Sequence, residues 1–208
     1  MVSAVLFDFG GVILTSPFDA FAAYERRAGL PDGFVRRVNS TEPDTNAWAR
    51  LERSELDVAG FVEAFEREAA ALGEQVDGRE VLACLAGELR PEMVEAVRRC
   101  AARFSTALLT NNVLDEEASS SSGGSFAGLL ELFDVVVESS RVGVRKPEPR
   151  FYEIALEELG VPASEAVFLD DLGINLKPAR AMGMHTIKVQ DPHVAIAELE
   201  AVTGLSLT

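Results

Sequence analysis

The chain has 208 residues, of which 48% are hydrophobic and 25% are charged. This composition suits a folded protein of one domain, or of one domain with a sizeable insert, and excludes a disordered chain. The formal net charge of −15 argues against nucleic-acid or anionic-membrane partners, because both repel a negatively charged protein. No apolar run reaches the roughly 18 residues that cross a bilayer, and the amino terminus has no basic leader, so we expect a cytoplasmic protein.

Five short apolar segments, separated by helical patterns, predict the strands of a parallel sheet. The first segment runs into Asp8 and the glycine pair Gly10-Gly11, which indicate a turn. The predicted strands are 1–7, 106–110, 135–138, 166–169 and 186–189. The predicted helices between and beyond them are 91–101, 149–159 and 177–182. The fold class is therefore α/β, with helices flanking a parallel sheet.

The stretch 17–87 differs from the rest of the chain, because it has helical periodicity throughout and no convincing strand. We expect an all-helical insert between the first and second strands, within an α/β core formed by 1–16 and 88–208. The predicted helices of the insert are 20–28, 47–51, 58–72 and 79–85, with breaks at Pro31, Pro43, Gly60 and Gly73. A serine-rich tract, 119–125, is predicted to be a mobile loop.

Polar side chains follow several of the predicted strands at the point where each strand ends. Because the carboxyl ends of parallel strands share the edge where ligands bind, we expect these side chains to lie together. Taken singly, Asp8 and Thr110 can each be explained as the cap of a turn or helix. Lys146, taken singly, can be explained as an exposed residue before a helix. The pair Asp170-Asp171 is harder to explain, because adjacent carboxylates repel each other unless a cation or hydrogen-bond donors compensate.

Taken together, these residues suit phosphoryl transfer. Asp8 can attack phosphorus, while Thr110 and Lys146 can hold the phosphoryl oxygens. Asp8 and Asp171 offer the carboxylate oxygens that Mg²⁺ prefers.

The order of these residues resembles the haloacid dehalogenase superfamily of aspartate-nucleophile phosphatases, over nearly the whole chain. Four motifs carry the resemblance: Phe-Asp-Phe-Gly-Gly-Val-Ile at 7–13, Leu-Leu-Thr-Asn-Asn at 108–112, Arg-Lys-Pro-Glu-Pro at 145–149, and Phe-Leu-Asp-Asp-Leu-Gly-Ile-Asn-Leu-Lys-Pro-Ala-Arg at 168–180. The last motif and the insert are most similar to the branch that contains the phosphatase domain of soluble epoxide hydrolase and a related domain of some acyl-CoA dehydrogenases.

The resemblance implies a Rossmann-like core, with the insert as a mobile cap that closes over substrate. It also implies a Mg²⁺-dependent phosphohydrolase that acts on a small phosphorylated metabolite through an aspartyl-phosphate intermediate. Asp8 would be the nucleophile, Lys146 would neutralise it and the phosphate, and Gly10 would offer its backbone carbonyl to the metal. By this resemblance, the catalytic residues are Asp8 and Lys146. The residues that bind phosphate are Thr110, Asn111, Lys146 and Asn175. The residues that bind the metal are Asp8, Gly10, Asp170 and Asp171.

One position departs from the family pattern, since Gly10 stands where these phosphatases usually carry a second aspartate that acts as acid and base. Such a group is worth about 100- to 10,000-fold in rate. Our hypothesis is therefore that phosphates with aryl, acyl or anomeric leaving groups are preferred over alkyl phosphates. The same glycine raises a second possibility, a catalytically impaired phosphate-binding or interaction module.

Two other enzyme classes of the superfamily also lack this acid. A haloacid dehalogenase needs no metal, so it gains nothing from the crowded carboxylates of Asp170-Asp171. A phosphonoacetaldehyde hydrolase needs a lysine in the insert, and the lysines of this chain all follow it.

The remaining reactive residues are assigned to structure. Cys84 and Cys100 lie in apolar helical patterns and are predicted to be buried free thiols, and neither His185 nor His193 has a partner at ligand spacing. The sequence does not determine the substrate, and it is compatible with a monomer or a homodimer.

Overall fold

The predicted parallel sheet is confirmed in the computed structural model, which describes residues 1–111 and 126–207. Its strands are β1 (Ala4–Asp8), β2 (Ser105–Thr110), β3 (Val135–Glu138), β4 (Ala166–Asp170) and β5 (His185–Lys188). They pair in the order β3-β2-β1-β4-β5, and every pairing is parallel. The strand β1 is therefore central, and the carboxyl ends of all these strands lie along one edge.

Helices account for most of the remaining described chain. They are α1 (Pro17–Ala28), α2 (Phe34–Ser40), α3 (Ala47–Glu52), α4 (Val58–Ala71), α5 (Gly78–Ala83), α6 (Pro91–Ala101), α7 (Phe126–Leu130), α8 (Ser139–Val142), α9 (Pro149–Leu159), α10 (Gly173–Ala181) and α11 (Pro192–Thr203). A short 3₁₀ helix spans Ala163–Glu165, and a π-type turn spans Phe9–Ile13. Among the described residues, no helix is both long and apolar enough to cross a membrane.

The sheet is covered on both faces because successive side chains of a strand point to opposite sides. On one face, Val5 and Phe7 pack with apolar residues of α6 and α11. On the other face, Ala4 and Leu6 pack with apolar residues of α9 and α10. This burial explains why the strands consist of continuous apolar runs, as is typical of parallel sheets.

The chain divides into two compact units, of which one is Met1–Thr15 with Leu89–Thr208 and the other is Ser16–Glu88. The first unit contains the sheet and is called the α/β unit. The second contains α1–α5 and is called the helical unit; its core includes Phe34, Phe61 and Phe65, with Trp48 packed edge-on against both of the last two. The role of the helical unit as a cap remains a prediction.

Two predictions within the helical unit were wrong. Helix α2 was not predicted, because it is short and the residue that precedes it, Gly33, provides no side-chain cap. Gly60 does not break a helix but lies in the first turn of α4, where its N–H donates to the Asp57 side chain at 2.7 Å. The first turn has no intrahelical partner for its N–H groups, so the capping aspartate satisfies this one.

Other differences concern the α/β unit and the thiols. Helix α10 begins at Gly173, before the predicted start at 177, and contains Pro178 in its interior. Both cysteines are free as predicted, but Cys84 is only half-buried, whereas Cys100 is buried. The tract 119–125 lies outside the described residues.

Candidate active site

The site begins at Asp8, the last residue of the central strand. All five residues of β1 are buried, so the strand carries the carboxylate to the edge of the sheet at a fixed position. Its Oδ1 accepts a hydrogen bond from the Phe9 N–H at 2.7 Å and lies 2.6 Å from Lys146 Nζ. The side chain is 10% exposed, so a reacting molecule has limited access to it.

Lys146 is buried at the centre of the site, and its ammonium group contacts three oxygen atoms. Besides its contact with Asp8, Nζ lies 3.0 Å from Asp170 Oδ2 and donates to the Leu109 carbonyl at 2.9 Å. An ammonium has three donors, and these contacts account for all of them. Asn111 fixes the backbone of Lys146 from both sides: its Oδ1 accepts from the Lys146 N–H at 2.8 Å, and its Nδ2 donates to the Lys146 carbonyl at 2.9 Å.

Asp170 ends β4, next to β1 in the sheet, and both of its oxygens are hydrogen-bonded. Asn175 Nδ2 donates to Oδ1 and Oδ2, each at 3.1 Å, and the Leu172 N–H donates to Oδ1 at 2.8 Å. The Tyr152 hydroxyl donates to the Asn175 carbonyl at 2.7 Å. Asn175, predicted to contact phosphate, is thus committed to Asp170 in this structure.

A third carboxylate completes an acidic cluster. Asp8, Asp170 and Asp171 each offer an oxygen within 4.8 Å of the others. Gly11 makes room for Asp171, because a Cβ at this position would overlap the Asp171 carboxylate, and its φ of 78° also favours glycine. Carboxylate oxygens at such spacing suit a small, hard cation, so the residues present fit Mg²⁺.

Burial and mutual repulsion shift the pKa values of the acids in this cluster. Burial raises the pKa of Asp8, and the charges of Asp170 and Asp171 add to this effect against the opposing charge of Lys146. Burial and the Asp170 charge likewise raise the pKa of Asp171 to about 6. Burial by itself would lower the pKa of Lys146, but the carboxylates of Asp170 and Asp8 reverse this and raise it. The lysine is therefore held in its charged form.

Thr110 is placed near these residues by strand register. Asp8 pairs with Leu109 across the sheet, and Thr110 follows as the last, buried residue of β2. The structure thus brings the predicted residues at the ends of β1, β2 and β4 to one edge, together with Lys146 from the segment that follows β3 and α8. Among the described residues near the site, the sequence did not predict Tyr152, which lies in the apolar pattern of α9, or Arg90, which donates from Nη1 to the Gly11 carbonyl at 3.0 Å.

The parallel sheet, with its charged residues at the carboxyl edge, defines an α/β protein of the Rossmann-like class, whose ligands bind at this edge. Residues 2–183 match the family described as hydrolase, haloacid dehalogenase-like hydrolase. The chain belongs to this family and is a haloacid dehalogenase-like hydrolase.

Several relatives support this assignment. The chain is 38% identical to mouse acyl-CoA dehydrogenase family member 10, with 98% of this chain and 19% of the relative covered. It is 35% identical to pig bifunctional epoxide hydrolase 2, with 98% of this chain and 39% of the relative covered. The chain therefore spans less than half the length of either relative. A Mycobacterium tuberculosis protein named as a phosphatase is 33% identical to this chain, with 90% of this chain and 87% of the relative covered.

Solved structures of the same fold include a haloacid dehalogenase family enzyme from Bacteroides thetaiotaomicron in complex with magnesium and inorganic phosphate. Its TM-score is 0.65 at 17% identity, with 93% of this chain and 99% of that chain covered. The L-2-haloacid dehalogenase of Xanthobacter autotrophicus has a TM-score of 0.63 at 21% identity, with 100% of this chain and 85% of that chain covered. At these identities the likeness shows the fold alone.

Proposed function

We propose that the chain is a Mg²⁺-dependent phosphohydrolase that acts on a small phosphorylated metabolite through an aspartyl-phosphate on Asp8. The observation that carries the proposal is the buried contact of Asp8 with Lys146 beside Asp170 and Asp171, at the edge where this fold binds ligands. The phosphatase name of the Mycobacterium tuberculosis relative supports it.

In the first step, a carboxylate oxygen of Asp8 attacks phosphorus in line, and the bond from phosphorus to the leaving-group oxygen breaks. The hydrogen bonds found for Asp8 among the described residues go to Oδ1, so we assign the attack to Oδ2. In the second step, water attacks the phosphorus of the aspartyl-phosphate, which releases phosphate and restores the carboxylate. Lys146 stabilises the negative charge that gathers on the phosphoryl oxygens in both steps.

We assign the metal to Asp8, Asp171 and the Gly10 carbonyl. When bound, Mg²⁺ would neutralise negative charge on the phosphoryl oxygens. Asp170 belongs to the same acidic cluster, but its hydrogen bonds to Lys146 and Asn175 favour a role in orienting the lysine.

We assign Thr110 and Asn111 to the transferring phosphoryl group. Asn111 also holds the backbone of Lys146, so it would link the phosphate-binding segment to the catalytic lysine. For Asn175 we propose support of Asp170 in place of phosphate binding. The residues of the helical unit are proposed to select the phosphorylated molecule.

The proposal is tested by hydrolysis of para-nitrophenyl phosphate with Mg²⁺ and with a chelator, in the native chain and in Asp8→Asn. An aryl leaving group needs no proton from the enzyme, so Gly10 does not handicap the assay. Asp19→Asn is the matched control, because Asp19 is exposed on α1. We expect phosphate release that requires Mg²⁺, is lost in Asp8→Asn and is retained in Asp19→Asn.

The outcomes separate the alternatives. Activity that persists in Asp8→Asn or with chelator would contradict the assigned nucleophile or metal. Halide release from a 2-halo acid, without phosphatase activity, would identify a dehalogenase. Phosphate binding without turnover of any phosphate ester would favour the binding module.

A further inference from the structure

Arg90 contacts the turn that follows the nucleophile at two points. It lies just before α6, and its backbone N–H donates to the Ile13 carbonyl at 2.9 Å. Its guanidinium Nη1 donates to the Gly11 carbonyl at 3.0 Å. One residue, 79 positions along the chain from Gly11, thus binds the end and the middle of the turn.

The turn needs such a restraint because of its composition. Phe9–Ile13 contains two consecutive glycines, and glycine has the widest range of backbone conformations. The turn is closed by a hydrogen bond from the Leu14 N–H to the Phe9 carbonyl at 2.9 Å. That bond joins the two ends of the turn, whereas the Arg90 guanidinium binds the Gly11 carbonyl between them.

The conformation of Gly11 also affects the acidic cluster. The Asp171 carboxylate occupies the place that a Cβ of Gly11 would fill, so the backbone of the turn forms one wall of the Asp171 position. Asp8, at the start of the turn, forms another part of the same cluster. A change in the Gly10-Gly11 backbone would therefore alter the position of Asp171 relative to Asp8.

We propose that Arg90 is a positioning residue, whose hydrogen bond to the Gly11 carbonyl fixes the Gly10-Gly11 turn and thereby the relative positions of Asp8 and Asp171. This inference rests on the proposed function for its effect on activity, and on geometry alone for its effect on the turn. Arg90 acts through the backbone and has no assigned contact with substrate.

The test compares Arg90→Met and Arg90→Lys with Arg98→Met, a control substitution at an exposed arginine within α6 that pairs with Glu95. The backbone bond from residue 90 to Ile13 persists in each variant, so we expect all of them to fold. In Arg90→Met we expect kcat for para-nitrophenyl phosphate to fall, and the half-saturating Mg²⁺ concentration to rise, by about 10- to 100-fold, as for losses of residues that orient metal ligands. For Arg90→Lys, we expect both kcat and the half-saturating Mg²⁺ concentration to lie between the values for Arg90→Met and for the native chain.

A second mutation distinguishes positioning of the turn from a general loss of stability. Gly10 has a φ of −71°, and a Cβ there would meet no atom within 4 Å, so alanine fits and restricts the turn. We expect Gly10→Ala to recover part of the activity that Arg90→Met loses. Backbone hydrogen exchange over 9–14 should be faster in Arg90→Met, and slower again in the double variant.

Each result bears on the proposal. Unchanged kcat and exchange in Arg90→Met, an equal loss in Arg98→Met, or no recovery with Gly10→Ala would overturn it. If the native chain shows no Mg²⁺-dependent hydrolysis, the proposed function fails, whereas the exchange measurement still decides whether Arg90 holds the turn.

Discussion

Buried carboxylates occur in both units of the protein, but their negative charges are compensated in different ways. In the helical unit, Glu25 is 2% exposed and accepts hydrogen bonds from the backbone N–H groups of Gly33 and Val35, at 2.8 and 2.9 Å. In the α/β unit, the buried carboxylates of Asp8 and Asp170 share one ammonium group, that of Lys146. The first arrangement joins two segments of chain, whereas the second concentrates charge.

Under the proposed function, the difference distinguishes a buried acid that serves the fold from buried acids that serve the reaction. Backbone N–H groups satisfy Glu25 within the fold, at the start of α2, where such groups lack helical partners. The cluster of Asp8, Asp170 and Asp171 places three carboxylates beside the one ammonium of Lys146. Burial, and after it the charge of Asp170, raises the pKa values of Asp8 and Asp171. A site of this kind favours a cation or a reaction that uses the charge.

The largest expected effect comes from adding an acid to the cluster of Asp8, Asp170 and Asp171. Gly10→Asp supplies the second acid that the sequence resemblance leads us to expect at this position, and a Cβ at Gly10 would meet no atom within 4 Å. We expect hydrolysis of a simple alkyl phosphate to rise by about 100- to 10,000-fold, because an alkoxide leaving group needs a proton. An aryl phosphate should gain far less, and the ratio of the two kcat/KM values measures the effect.

Gly10→Asn is the matched control, because its side chain has nearly the same shape but no transferable proton. A similar gain in Gly10→Asn would show that acid catalysis is not the reason. Equal or better turnover of alkyl phosphates by the native chain would contradict the leaving-group hypothesis.

Removing the shared cation should affect both activity and stability. Lys146→Met leaves Asp8 and Asp170 buried without their ammonium partner, so we expect the free energy of unfolding in metal-free buffer to fall by about 3–5 kcal/mol. Phosphatase activity should fall by about 100- to 1,000-fold, as when one stabilising donor of a developing charge is removed. Chemical denaturation and steady-state kinetics measure the two effects, with Lys177→Met at an exposed position as the control.

The stability loss in Lys146→Met should depend on pH with a definite sign. Lys146 lowers the pKa of Asp8 against the effect of burial, so its removal raises that pKa further in the folded state. A carboxyl whose pKa is raised on folding destabilises the protein at pH values above that pKa and has no such effect below its unfolded value. The deficit should therefore be smallest in acid and grow as the pH rises; a deficit that does not vary with pH would contradict this account.

The sequence predicts elements and strand ends better than it predicts contacts. The apolar run before Asp8 indicates a strand, and the rule for parallel sheets then brings the ends of β1, β2 and β4 together. The contacts within the site join residues far apart in sequence, such as Asn111 with Lys146, 35 positions away, and Tyr152 with Asn175, 23 positions away. Hydrophobic periodicity contains no information about which polar groups meet across such distances.

The same limit explains what was missed in the helical unit. Glu25 belongs to the polar pattern of α1, but its carboxylate is buried because it binds the backbone N–H groups around the start of α2. Helix α2 itself has no side-chain cap on Gly33, so the signal for its start comes from a residue in another helix. A local pattern cannot show this, because the capping residue lies eight and ten positions before the groups that it binds.

The smallest effect is expected in the helical unit, where Glu25→Ala removes the acceptor from the N–H groups of Gly33 and Val35. Val35 is fully buried, so its N–H should remain unsatisfied, and the free energy of unfolding should fall by about 1–3 kcal/mol. The kcat of the folded protein should not change, because Glu25 serves the fold. Urea denaturation, with exposed Glu63 replaced in Glu63→Ala as the control, measures the loss.

Glu25→Gln sharpens this comparison, because it keeps the size of the side chain but replaces one acceptor oxygen with an NH₂ donor. That donor would face a backbone N–H, so we expect Glu25→Gln to lose most of the stability that Glu25→Ala loses. If Glu25→Gln were as stable as the native chain, packing of the side chain would matter more than its two acceptors. A fall in kcat for either variant would mean that this buried acid also serves the reaction, and the contrast between the two units would not hold.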